Sequence, residues 1–204
     1  MISNPQLREL SLAQLKGKWA HTFLLSLIYA AINGATTNLP IFLPLRLFAH
    51  YIILLPLFEF GVIQYFIHMA RKEVASPKDL LAAFDSESLA SVIILFLVKS
   101  IFISLWFLLL IAPGFIKACS YAMAVYILRD NPNMKPLDAL NKSKIMMDGH
   151  KWQYCCLILS FTGWFILSLL TFGIGLLWLI PYMKLSSANF YENLRNLATA
   201  DLKT

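Results

Sequence analysis

Long apolar runs alternate with short polar segments along this chain. The runs predict an all-α bundle of about six membrane spans, at residues 19–39, 47–70, 91–112, 115–128, 152–172 and 175–191. Ahead of the first run, residues 3–18 read as a short surface helix. Ser3 or Asn4 is placed to cap it, Pro5 suits its first turn and Gly17 lies near its end. Leu7, Leu10 and Leu15 give this helix a modest apolar side, which points to the membrane interface. Pro40 and Pro44 mark a tight turn after the first run, and Pro56 is expected to kink the second. Pro113-Gly114 signals a turn between the third and fourth runs, and the fourth is rich in small residues, which suits a place inside the bundle.

The apolar stretch 152–183 needs a break. As one straight helix it would reach on the order of 45 Å, beyond a hydrocarbon core of ~30 Å. Gly173-Ile174-Gly175 supplies the break, and Pro181 is expected to kink the last span. Two polar segments also predict helices. One starts at Ser76-Pro77-Lys78-Asp79, and the other covers 136–147 and stops at Asp148-Gly149. The apolar residues of the latter form no clean stripe, and no strong amphipathic anchor is read there. Gly61, Gly163, Ala118, Ala122 and the pair Ala30 and Gly34 are candidate points of close helix approach.

Composition agrees with burial in lipid. The chain is 59% hydrophobic and 14% charged, where soluble domains are roughly half apolar and about a quarter charged. Its net charge of +6 does not point to nucleic acid, because the basic residues lie between apolar runs. With six spans, one side of the membrane receives Arg8, Lys16, Lys18, Arg71, Lys72, Lys78, Arg129, Lys135, Lys142, Lys144, Lys151, Lys184, Arg195 and Lys203. These are 14 of the 17 lysines and arginines. Arg46 alone falls in an opposite loop, while Lys99 and Lys117 lie within spans. This asymmetry places both termini in the cytoplasm. A five-span reading would send three of the basic residues across.

The sharpest chemistry-bearing candidates are ionisable residues inside spans, which are costly there and point to function by default. Glu59 lies about 11 residues from the inner end of the second span and Lys99 about 8 from that of the third, so their depths differ by roughly one helical turn. They can pair, each lowering the other's desolvation cost. The plainer reading is a structural ion pair, or a snorkelling Lys99 beside a protonated Glu59. Lys117 and Asn33 are further intramembrane polar candidates. Asn33 to Asn38 either line a shallow outward cavity or sit at the headgroup level and bond neighbouring helices.

No catalytic residue, metal site or cofactor is read from the chain. His21, His50, His68 and His150 lack ligand spacing and read as interface residues. Cys119, Cys155 and Cys156 form no C-x-x-C and read as small buried apolar residues. Asn141-Lys142-Ser143 fits a glycosylation pattern by chance.

An ordered set of residues carries a family resemblance. It runs through Pro113-Gly114-Phe115-Ile116-Lys117-Ala118, Asp130-Asn131-Pro132, Ala139-Leu140-Asn141-Lys142-Ser143 and Met147-Asp148-Gly149-His150-Lys151-Trp152. It continues through Leu170-Thr171-Phe172-Gly173-Ile174-Gly175, Pro181-Tyr182 and Phe190-Tyr191-Glu192, with Leu15-Lys16-Gly17-Lys18-Trp19 near the start. The set resembles the bacterial integral membrane family known as domain of unknown function 975. The resemblance implies a multi-pass protein of the bacterial cytoplasmic (inner) membrane and supplies no activity. Cys119 departs from it, where an aromatic residue is expected.

Three function classes remain open. The first is a non-enzymatic membrane protein that binds a protein partner or anionic lipid headgroups. The second is a small transporter or channel using Glu59 and Lys99. The third is a membrane-embedded enzyme acting on lipids, for which no cluster of acid, base and nucleophile is visible.

Overall fold

The computed structural model describes residues 2–37, 49–73, 75–81, 84, 89–109, 111–171 and 173–201. Asn38, Leu39, Pro40, Pro44, Arg46, Leu47, Phe172 and Lys203 lie outside the described residues. All regular structure among the described residues is helical.

Local sequence signals set several helix ends. Helix α1, Asn4–Leu15, starts from Ser3, whose backbone N–H and hydroxyl both donate to Gln6 Oε1, at 3.0 and 2.9 Å. It stops before Gly17, which takes φ +80°. Helix α2 spans Trp19–Thr37. Residues Ala49–Leu54 wind as a π-helix that runs into α3, Leu55–Ala70. Pro56 is the second residue of α3. It has no N–H to donate and its ring crowds the carbonyl four residues back, and the wider winding before it accommodates both.

A 3-10 turn, Pro77–Leu81, realises the helix start read at Ser76-Pro77. Helix α4 covers Leu89–Leu109 and α5 covers Ile111–Ser120. Pro113-Gly114 thus begins a helix rather than making the expected turn, because proline in a first turn gives up an N–H that has no partner there anyway. The expected fourth span is two short helices, α5 and α6 (Ala124–Asp130), separated by a turn at 121–123. Helix α7, Pro136–Met146, ends ahead of Gly149 at φ +75°. Helices α8, Lys151–Leu159, and α9, Thr162–Leu170, are separated by a turn at 160–161. The predicted break after them is present, with Gly173 at φ +83°, and α10 then runs Leu176–Asp201 through Pro181.

Packing groups the chain into two compact units. The first comprises Met1–Gly34, Tyr65–Pro77 and Gln153–Thr204. In it α1 and α9 both pack against α10. Leu7 and Leu15 of α1 are fully buried, as are Leu185, Ala188 and Phe190 of α10. The apolar side expected of α1 is thus divided: Leu7 and Leu15 serve the protein core, and Leu10 is left outside. The second unit comprises Ala35–Gln64 and Lys78–Trp152. In it α4 packs against α5, α6, α7 and the π-helical turn, and α6 packs against α7. Met123 to Leu128 form the centre of its core with Val92, Leu95, Ala139 and Leu140.

Gly61 is a close approach, as expected: an added Cβ would overlap the Leu80 carbonyl oxygen and lie 2.6 Å from its carbon. At Gly163, nothing among the described residues lies within 4 Å of an added Cβ. Gly175 is a close approach that sequence reasoning missed, since a Cβ there would sit 2.7 Å from Ser168 Oγ.

Three helical stretches among the described residues are long and apolar enough to cross a membrane: His50–Ala70, Leu89–Trp106 and Lys151–Leu170. Trp19–Ala31 is a shorter apolar helix. The other apolar segments depart from that length and composition for identifiable reasons. One is divided at 121–123, and α10 carries Lys184 and turns polar beyond Tyr191.

Candidate functional site

Hydroxyls in apolar helices need an acceptor, and here the helix backbone supplies it. Thr22, Ser26, Ser120 and Ser168 each donate to a carbonyl three or four residues earlier. Polar groups that instead reach between helices mark the places where the fold holds chemistry.

In the first unit such groups join α1 to α10. Ser186 Oγ lies 3.1 Å from Ser11 Oγ, and Asn189 Nδ2 donates to Ser11 Oγ at 3.0 Å and to Gln14 Oε1 at 2.8 Å. Ser11, Ser186 and Asn189 are buried. Gln14 also donates to the Ala70 carbonyl at the end of α3. Next to that carbonyl, Arg71 Nε and Nη2 both lie 2.8 Å from Glu192 Oε1, and Arg195 Nη1 reaches the same oxygen at 3.3 Å. Arg71 and Glu192 are 19% and 15% exposed, so this pair is largely withdrawn from solvent.

The turn carrying Arg71 has its own geometry. Glu73 N–H bonds the His68 carbonyl at 2.8 Å and Lys72 N–H bonds the Met69 carbonyl at 3.1 Å, which is a Schellman stop with Lys72 at φ +60°. A side chain in that region is crowded against its own carbonyl, and glycine is not. Lys72→Gly should therefore raise stability by about 0.5 kcal/mol, read as a higher midpoint of unfolding in mixed micelles. Lys72→Val should lower it.

The second unit holds the intramembrane candidates. Glu59, on α3, and Lys99, on α4, are both half-buried, and both are engaged by neighbouring groups. Lys117, on α5, places its ammonium 4.6 Å from the centre of the Trp106 ring, a cation–π contact that offsets its withdrawal from water. Asn33 lies in α2, and its side chain is outside the described ones. Arg129, which the sequence shows only as a charge, holds a withdrawn polar cluster. Its Nη1 meets Asp130 Oδ1 at 2.9 Å and its Nε meets Gln64 Oε1 at 3.3 Å, with Arg129 and Asp130 side chains 10% and 14% exposed. Asp148 differs. Its hydrogen bond to the Lys151 ammonium, 2.8 Å away, holds its carboxyl below the ordinary value, but the pair lies open to water and contributes little.

Of the other candidates, His50 is buried, with its ring 4.8 Å edge-on from Tyr51. His68 Nε2 lies 3.7 Å from Glu73. Ser143 is buried and donates to the Ser120 carbonyl at 2.8 Å, so its hydroxyl serves packing between α5 and α7. The three cysteines are half-buried rather than core residues, and Cys156 carries a free thiol. Among the described residues no three His, Cys, Asp or Glu side chains gather as a metal site.

No curated protein and no solved structure matches this chain. The family described as protein of unknown function DUF975 matches it over residues 1–116 and 106–198, and with coverage of nearly the whole length the chain belongs to that family.

Proposed function

We propose that this chain is a multi-pass protein of the bacterial cytoplasmic membrane, with about six spans and both termini inside. In this reading it is not an enzyme, and it binds a partner or anionic headgroups at its basic cytoplasmic face. One observation supports the membrane placing. Helices α4 and α9 present large apolar side chains outward, among them Ile101, Leu105, Ile166, Leu167 and Leu170, the last 74% exposed. Water-soluble monomers rarely expose large apolar surface, and acyl chains are the solvent that suits each of these helix faces.

Single cysteines at Glu73 and Asn141 test the topology. Both should react with a membrane-impermeant maleimide only after the cytoplasmic side is opened. Labelling of the two from opposite sides would sink the six-span arrangement.

A second reading, a small transporter, draws support from Glu59 and Lys99. Both lie on candidate spans of one unit, and an ionisable group at such depth is costly unless used or paired. Under the non-transport reading, Glu59→Gln leaves solute flux in reconstituted vesicles unchanged. Flux that disappears in this variant while the fold is retained would favour the transporter.

A further inference from the structure

Helix α7 has two unlike faces. Ala139, Leu140, Ser143 and Met147 are buried, and the helix packs against α4 and α6. The opposite face carries the exposed residues Leu137, Asp138, Asn141, Lys142, Lys144 and Ile145, with Asp138 and Ile145 seven positions apart and so nearly in line. Ile145 is 76% exposed and Leu137 54%. Few side chains of the described protein leave so much apolar surface open, and Ile145 is matched by Trp152, also 76% exposed.

Trp152 stands in the first turn of the Lys151–Leu170 stretch. If that stretch crosses the bilayer, its first turn lies at the headgroup level, where tryptophan is favoured. Ile145 is then only a few residues from the membrane surface, on a helix joined to the span by the short turn at Gly149. The charges around it are chiefly basic. Lys135, Lys142 and Lys144 are exposed, Asp138 is the opposing exposed carboxylate, and Asp148 is bonded to Lys151.

We infer that this face of α7 is a docking surface for anionic phospholipid, with Leu137 and Ile145 set into the headgroup layer and Lys142 and Lys144 on phosphates. The inference rests on the proposed crossing of Lys151–Leu170. It goes beyond a generally basic face by naming the helix, its apolar keel and the lipid class.

The test uses the full chain with Cys156→Ser and Ile145→Cys, labelled with an environment-sensitive fluorophore; the Cys156→Ser chain alone sets the background. The protein is reconstituted in vesicles of phosphatidylethanolamine with phosphatidylglycerol and, separately, of phosphatidylcholine. Alkaline extraction is measured on the same samples. The expected result is blue-shifted emission and quenching by a headgroup-level spin label in the anionic vesicles. Both effects should fall to the phosphatidylcholine level in Lys142→Glu/Lys144→Glu and at high salt. Water-like emission in both lipids, with the protein still resisting extraction, would overturn the docking surface alone. A blue shift that disappears on dilution of protein in lipid would assign the face to a second copy and overturn it too. Loss of extraction resistance would remove the crossing on which the inference rests, and the inference with it.

Discussion

Arg71→Ala should destabilise the protein by about 3 kcal/mol, the range for removing one partner of a buried ion pair. The geometry sets the size. Two nitrogens of Arg71 and one of Arg195 converge on Glu192 Oε1, and Arg71 and Glu192 are both mostly withdrawn from solvent. Without Arg71, Glu192 keeps the Arg195 contact at 3.3 Å, from a side chain 40% exposed. Glu192→Ala should cost a similar amount, because it leaves the Arg71 guanidinium without that carboxylate. The double variant should cost well below the total of the two, since the second change removes a group whose contact with the first is already gone. Arg71→Lys should recover only part of the loss, because an ammonium cannot repeat the two-nitrogen contact. Unfolding of the four proteins in mixed micelles, compared as a double-mutant cycle, measures this. Additive losses would show that the pair carries no coupling. Lys151 and Asp148 make an equally short contact at 2.8 Å, yet Asp148→Asn should change stability little, because water screens that pair.

Gly61→Ala should cost about 1–3 kcal/mol, the usual range for overpacking. The obstacle is the Leu80 backbone, whose carbonyl a Cβ would overlap and whose Cα it would meet at 2.7 Å. A flexible side chain can rotate away from an added methyl group, whereas a carbonyl held in the 3-10 turn Pro77–Leu81 must move with its whole segment. Gly163→Ala is the control. Nothing lies within 4 Å of a Cβ at Gly163, and alanine favours a helix, so stability should hold or rise slightly. If both substitutions had equal effects, the close approach of α3 to Leu80 would be refuted.

The sequence by itself determined the helical class and many of the helix boundaries. Those boundaries are local: Ser3 with Gln6 caps α1, and Gly17, Gly149 and Gly173 take positive φ where helices stop. Such signals depend on a residue and its near neighbours, and they read the same in any tertiary context. The same locality explains one failure, since Pro113-Gly114 serves a helix start as well as it serves a turn. The apolar runs also marked helices long and apolar enough to cross a membrane, though not which of their side chains are left open.

Tertiary structure decided the partners. Arg71 and Glu192 are 121 positions apart, and Ser11 and Asn189 are 178 apart. Ser11 with Gln14 and Ser186 with Asn189 show the same three-residue spacing, so each polar face was visible, but nothing in either helix names the other. From sequence, the apolar side of α1 suits the membrane interface and α7 carries no strong anchor; the structure buries Leu7 and Leu15 in protein and leaves Ile145 open. Amphipathic period fixes which side of a helix is apolar. Whether protein or lipid covers that side depends on which distant segment packs there, and that is a property of the whole chain.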